Sequence, residues 1–267
     1  MMAMDRRDFL KIAGLAAFVG MGVKAGFELV APGAVDAALK EVPARAGKKM
    51  GMAVDVRLLD EAVMEACIRA CHSYNNVPLL GNPKEEIKWI WKETYAHTFP
   101  GQENEYLADA FRGKGILVLC NHCTNPPCCR VCPTKATWKR EDGIVMMDMH
   151  RCIGCRYCMA ACPYGARSFN WGDPRKAPGE LNPDFPTNRE LPTRSKGVVE
   201  KCTFCVERLA KGLVPACVEA AEKLRPKVLL FGDLDDANSQ VRSALRRRYS
   251  IRRKPELGTG PNIFYMV

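Results

Sequence analysis

Cys152-Ile-Gly-Cys155-Arg-Tyr-Cys158-Met-Ala-Ala-Cys162-Pro163 decides the reading of this chain. In such a run three thiolates of one tight loop reach three corners of a single iron-sulfur cube, and the fourth, just before the proline, reaches a neighbouring cube. A structural zinc site is built from two separated cysteine pairs, so three consecutive short steps disfavour zinc here. Upstream, Cys120-x2-Cys123-x4-Cys128-x3-Cys132-Pro133 repeats the pattern with a longer inner loop. Crossing the two motifs gives cluster 1 on Cys120, Cys123, Cys128 and Cys162, and cluster 2 on Cys152, Cys155, Cys158 and Cys132. Between them, the Asp142-Gly143 turn signal precedes a short strand over Gly143-Ile144-Val145-Met146-Met147. These features predict a compact two-cluster ferredoxin unit over residues 114–170.

The rest of the chain is long enough for a second unit. Its 267 residues are 47% hydrophobic and 26% charged, which excludes a disordered tail and allows one large or two small cores. Fourteen cysteines are too sparse for a miniature disulfide scaffold and too many for an ordinary enzyme. The formal charge of +10 is compatible with nucleic acid, an anionic membrane surface or an acidic partner and does not choose among them. At the start, Arg6 and Arg7 precede Phe9-Leu10-Lys11 and an uncharged run from Ile12 to Val23. That run is short of the roughly 20 residues that span a bilayer, and it reads as an export signal or retained tether over residues 1–46. The arginine pair resembles a twin-arginine signal, although Asp5 stands where Ser or Thr is usual. Ala44-Arg45-Ala46 has the small-x-small form of a cleavage site.

With both motifs in place, the chain resembles the four-cluster electron-transfer subunits of the dimethyl sulfoxide reductase and polysulfide reductase type. The resemblance implies an α+β fold of two ferredoxin-like domains, the second inserted into the first, with helical and loop insertions. It divides the chain into a first outer part at 47–113, the inner unit at 114–170, a Pro-rich loop at 171–196, a second outer part at 197–234 and a basic C-terminal tail at 235–267. In the outer domain the first motif pairs with the last. The last is Cys202-Thr-Phe-Cys205 followed by Cys217, and the family's fourth position is Ala221. The first, read back from Cys71, has Cys67 in its third place but Glu61 and Met64 in the first two. One outer site thus keeps all four ligands, Cys202, Cys205, Cys217 and Cys71 (cluster 3), while the other keeps only Cys67. The correlated losses predict three 4Fe-4S clusters, with Cys67 and Cys129 left over as buried inert thiols. The vacated stretch Leu58–Ala70 is rich in Leu, Glu, Ala and Met and predicts a helix with Leu59, Val63, Cys67 and Ala70 on one face.

Other residues are read more plainly. His72, His97, His122 and His150 lie near the motifs and are expected as outer donors or surface groups, because every cluster already has four cysteines. Arg130, Arg151, Arg156, Arg167 and Lys201 flank ligands; surface solvation and offsetting of cluster charge both account for them. Ile87, Trp91 and Tyr95 recur at helical spacing and predict an amphipathic helix over Glu85–Tyr95. The basic stretch Arg242–Lys254 lacks an aromatic stacking platform, so a nucleic-acid partner is not expected. No nucleophile constellation, phosphate loop or dinucleotide fingerprint appears, which points to an electron carrier within a larger complex and not to an enzyme by itself. The export signal, the erased site, Trp89-Ile90-Trp91-Lys92-Glu93 and Cys120-Asn-His-Cys123-Thr-Asn-Pro-Pro-Cys128 make it most similar to the DsrO-type branch, the periplasmic iron-sulfur subunits of the sulfite-reduction-associated DsrMKJOP membrane complex. That branch implies an NrfD/polysulfide-reductase-like quinone-interacting membrane subunit, a multihaem cytochrome c and a role in sulfur metabolism. A molybdopterin-reductase or nitrite-reductase-type complex is the alternative setting. An exported protein whose cysteines hold zinc or form disulfides is the alternative chemistry.

Overall fold

Met52, Ala53 and Val54 are consecutive and all fully buried, which a strand achieves only with paired edges and two covered faces. They belong to β1 (Met50–Asp55), an inner strand of a four-stranded sheet in the order β8 (Leu229–Asp233), β1, β10 (Ile263–Met266), β9 (Ser250–Ile251). β1 runs parallel to β10, with Met52 opposite Ile263, and antiparallel to β8. One face carries the main core, with Met52, Val54, Ile263 and Tyr265; the other packs Ala53 and Met266 on Val241 of helix α7 (Gln240–Arg247). The computed structural model describes residues 47–175, 188–191 and 194–267. The expected signal, with Arg6 and Arg7, and most of the Pro-rich loop lie outside these residues. Among the described residues no helix is long and apolar enough to cross a membrane.

The cysteine segments hang from this sheet on three two-stranded ladders. β2 (Ile90–Thr94) pairs with β3 (Gly115–Leu119), β4 (Thr137–Lys139) with β5 (Val145–Met147), and β6 (Ser168–Phe169) with β7 (Val199–Glu200), all antiparallel. β5 is the strand expected after Asp142-Gly143, where Gly143 takes φ +80° at the turn. The expected helix over Glu85–Tyr95 is not formed. A single 3-10 turn at Pro83–Glu85 is followed by coil and β2, and a helical turn begins only at Tyr95. Ile87, Trp91 and Tyr95 are buried as the periodicity demanded, but Trp89 and Ile90 are buried as well. A run apolar on both sides, facing the apolar β3, is satisfied by ladder pairing; a helix would have turned some of these side chains to solvent.

The helix predicted over the vacated motif is present as α1 (Glu61–Asn75). Asp60 caps its first turn by accepting from Val63 N at 2.9 Å, and Asn76 ends it in the left-handed conformation. Leu59, Val63 and Cys67 are buried, as expected, whereas Ala70 is half-buried. α1 packs on α6 (Ala216–Leu224), the helix that carries Cys217. The basic C-terminal segment does not trail away as a tail. Arg248 pairs with the buried Asp55, Arg253 is buried, and the residues after it close the sheet as β10.

Candidate metal centres

The third residue of the first Cys-x-x-Cys step in each of three motifs is left-handed: His122 at φ +40°, Gly154 at +71° and Phe204 at +56°. Three segments with unrelated side chains therefore share one kinked backbone, the geometry that turns successive cysteines toward a common centre. Only glycine adopts it freely, so the kinks at His122 and Phe204 carry local strain of about 1–3 kcal/mol each. The two strained side chains lean on each other, their rings stacked 3.7 Å apart at 15°. That stack joins the loop of Cys120 and Cys123 to the loop of Cys202 and Cys205. Amide groups are also directed at sulfur: Phe204 N donates to Cys202 Sγ at 3.4 Å and Val199 N to Cys152 Sγ at 3.5 Å.

The four cysteines expected for cluster 1 line one enclosed cavity. Cys120, Cys123, Cys128 and Cys162 line it together with Val145, Tyr164 and Arg167. For cluster 3, Asn75 Nδ2 reaches Cys71 Sγ at 3.5 Å and Cys205 Sγ at 3.8 Å, while Cys71 also feels the charges of Cys202 and Cys217. All four of these thiols are buried. For cluster 2, Cys132, Cys152 and Cys158 share one small core with Cys128 and Val199, whereas Cys155 is exposed and is not part of that core. All fourteen cysteines are free thiols. Among the described residues no three His, Cys, Asp or Glu side chains converge as the ligands of one ion would.

The electrostatics ask for a cationic centre. Burial pushes Cys123 and Cys202 up to about 12, with Cys120 adding to both, and drives Cys71 and Cys217 well above the ordinary thiol range. Thiols this reluctant to ionise become thiolates when metal charge replaces the lost water. Cys128 and Cys132 go the other way: a hydrogen bond from Cys129 and the Arg167 and Lys201 cations hold Cys128 below the usual range, and, against the pull of burial, hydrogen bonds from the Thr137 backbone and from Thr134 lower Cys132. Cys129 is therefore not the buried inert thiol expected of it. It is half-buried on the short helix Pro127–Arg130 and donates to its neighbour. Cys67 is buried as expected, its thiol donating to Cys217 O at 3.3 Å.

The erased fourth site is filled by side chains. Met64, Cys67 and Ala221 are 3%, 0% and 0% exposed within the main core, and the Met64 methyl lies where a Cβ on Gly115 would stand 2.8 Å away. Glu61, the other replaced position, points outward and pairs with Lys92. The flanking residues also separate. Arg130, Arg151 and Arg156 are exposed, whereas Arg167 and Lys201 are buried. Of the histidines, His97 and His150 are exposed, His72 is half-buried and His122 is fully buried. His122 Nδ1 accepts from Val145 N at 3.1 Å, which leaves the proton on Nε2 with no protein partner. Arg167 Nη2 and the Asn121 amide are buried and unpartnered in the same region. Such orphaned donors fit an anionic sulfide-bearing group in the cavities. Sequence reading missed Asn75, although it lies one helical turn after Cys71, the spacing that brings two side chains onto one face.

Known proteins agree with this geometry. The profile of the 4Fe-4S dicluster domain matches residues 116–179. The chain is 40% identical over 283 residues to the Hdr-like menaquinol oxidoreductase iron-sulfur subunit 1 of Archaeoglobus fulgidus, covering 98% of this chain and 97% of that one. It is 36% identical to the arsenate respiratory reductase iron-sulfur subunit ArrB of a Shewanella species, over 82% of this chain and 96% of that protein. It is 33% identical to the menaquinone reductase iron-sulfur cluster-binding subunit of Nitratidesulfovibrio vulgaris, over 82% and 88% of the two. Similarity that spans most or nearly all of both chains makes this protein a member of the 4Fe-4S ferredoxin-like electron-transfer subunits of larger oxidoreductase complexes, distinct from their catalytic subunits.

Proposed function

We propose that this subunit carries three 4Fe-4S clusters in a row and relays single electrons along them. The ligand sets are Cys120, Cys123, Cys128 and Cys162; Cys152, Cys155, Cys158 and Cys132; and Cys202, Cys205, Cys217 and Cys71. They sit in two ferredoxin-like halves, the inner one inserted into the outer. The observation that carries the number three is the packed state of the fourth site, where Met64, Cys67 and Ala221 occupy core volume and offer one thiol in place of four. Neighbour relations supply the order. Cys158 of cluster 2 feels Cys128 of cluster 1, Cys202 of cluster 3 feels Cys120 of cluster 1, and Cys217 of cluster 3 feels Cys67 of the erased site. The row then reads cluster 3, cluster 1, cluster 2, with the erased site beyond cluster 3. Loss of that terminal member shortens the wire without breaking it.

The residues fit the clusters, and the chemistry the clusters supply is reversible one-electron storage. The protein's part is to hold the cysteines, exclude water and direct N–H groups at sulfur. Two relatives whose names include menaquinol oxidoreductase or menaquinone reductase support a place between a quinone-interacting membrane subunit and a further redox partner. In this reading the membrane subunit is of the NrfD/polysulfide-reductase kind and the partner a multihaem cytochrome c, in the sulfur-metabolism complex to which the DsrO-type resemblance points. Arg6 and Arg7 would direct export of the folded subunit to the periplasmic face. Purification of the intact complex tests the whole reading. A brown subunit with about twelve iron and twelve sulfide per chain is expected from three four-iron clusters. A colourless chain holding zinc, or about sixteen iron, overturns it. Co-purification of a pterin-bearing subunit in place of the quinone and haem partners relocates it to a molybdenum reductase.

A further inference from the structure

Four basic side chains are buried among the described residues: Arg167, Arg194, Lys201 and Arg253, at 4%, 5%, 0% and 5% exposure. Arg194 has its carboxylate, Glu200, at 2.9 Å. The other three have none within ion-pair distance among the described residues; Arg167 lines the cavity of cluster 1, and Lys201 and Arg253 each contact a residue of its wall. Arg167 is part of its wall, its Nη1 held by Thr137 Oγ1 at 3.0 Å and its Nη2 unpartnered. Lys201 places its ammonium on the carbonyls of Val145, a wall residue, and Cys202, the latter at 2.6 Å. Arg253 lies 5.5 Å from the ring of Tyr164, another wall residue, with Nε and Nη1 unpartnered. Taking an unpaired cation out of water is expensive, so three around one cavity call for an anion inside it. A thiolate-ligated iron-sulfur cube is anionic and becomes more so on reduction, so fixed cations favour its reduced form.

We infer that Arg167, Lys201 and Arg253 make the central cluster the electron-holding member of the row, the first of the three to be reduced. The inference rests on the three-cluster reading above. In the step concerned, one electron leaves reduced cluster 3 or cluster 2, which is thereby oxidised, and enters oxidised cluster 1. No proton need accompany it, because the guanidinium and ammonium groups already carry the compensating charge. An electron arriving from either end would settle in the middle before the next departs. Arg167 also faces Cys158 of cluster 2, and Lys201 faces Cys202 of cluster 3. Arg167 and Lys201 thus each act on one end cluster as well as on Cys128 of the central one, and Arg253 stands behind Tyr164 of the central wall.

Iron and sulfide analysis of the intact complex first establishes the number of clusters, independently of their order. Stepwise reductive titration followed by electron paramagnetic resonance then tests the inference on unaltered protein. With the centre reduced first, the second electron always lands beside it, so spin-spin broadening is expected as soon as the second electron enters. Two narrow signals growing together, with strong coupling delayed until the third electron, would overturn the inference while leaving three clusters intact. In Arg167→Met and Lys201→Met the reduction equilibrium of the first-reduced cluster should fall at least tenfold, about 59 mV for one electron. Arg167→Lys, which keeps the charge, should restore most of it. Should either Met variant fail to retain twelve iron, the Lys variant and the unaltered titration decide. Unchanged potentials in iron-replete Met variants would also overturn the inference.

Discussion

Replacing Gly154 by alanine isolates what the left-handed kink contributes to a ligand loop. Gly154 lies between Cys152 and Cys155 with φ +71°, and a Cβ built there would stand 2.3 Å from Gly197 O and 3.1 Å from the Phe169 ring. Two penalties therefore add. An alanine held left-handed costs about 1–2 kcal/mol relative to glycine. Forcing a methyl group against backbone oxygen, which cannot rotate aside, adds an overpacking cost of about 1–3 kcal/mol. Gly165 separates the two, because it has nearly the same φ, +65°, and nothing within 4 Å of its Cβ position. Gly165→Ala should show the conformational penalty alone. Gly154→Ala should show both, and the Gly197 turn can move only by dragging β7, whose Val199 N donates to Cys152 Sγ.

The readouts are iron content and thermal unfolding of the purified complex. Gly165→Ala is expected to keep its full iron and lose a few degrees. Gly154→Ala is expected to lose one cluster, about a third of the iron, with the signals of the other two retained. Equal iron and equal unfolding temperatures in the two variants would show that the Gly197 contact is not limiting and that loop geometry tolerates a side chain. Loss of all iron from Gly154→Ala would show that the clusters assemble only together.

Four other substitutions probe the frame around the cysteine loops. Met64→Ala should destabilise the fold by about 2–5 kcal/mol in denaturant melts, since Met64 is 3% exposed, and leave iron content unchanged; any loss of iron would make Met64 a ligand after all. Glu200→Gln should cost about 3–5 kcal/mol, because it strands the buried Arg194, whereas Glu219→Gln in its half-exposed pairs should cost less than about 1 kcal/mol; similar losses in the two would refute the burial argument. Tyr265 donates to Leu117 O at 3.2 Å, and burial raises its phenol from 10.0 to about 12. The unfolded chain then releases this proton at lower pH than the folded one, so the associated stability is complete below pH 10 and is lost between 10 and 12. The loss is on the order of 3 kcal/mol. Stability curves for Tyr265→Phe and unaltered protein should converge by that amount across the window, and parallel curves would exclude it.

Cysteine spacing could be read at all because cluster geometry constrains sequence directly: every step in Cys152–Cys162 is a loop length, and Cys120, Cys123, Cys128 and Cys162 do line one cavity. The helix over Leu58–Ala70 followed from its helix-forming residues and is present from Glu61. What stayed illegible depended on burial, which spacing does not encode. Arg130, Arg151 and Arg156 are as close to cysteines in the chain as Arg167 is, yet only Arg167 lies inside. Ile87, Trp91 and Tyr95 fitted a helical period, but the decisive fact was the apolar partner strand at 115–119, a contact more than twenty residues away. The basic run after Arg242 looked like a solvated tail until Asp55 and the edge of β1 supplied partners from the opposite end of the chain.

On the three-cluster reading, an end of the row is the place where a fourth site can be missing without separating the remaining clusters. Two side chains fill that end where α1 packs on α6: Met64, long enough to reach Gly115, and Ala221, fully buried in the core. Cys67 survives there because a thiol is also a small apolar side chain. With burial pushing it up to about 12, it is un-ionised and bonded to the Cys217 carbonyl, so it now supports a ligand of cluster 3 from behind.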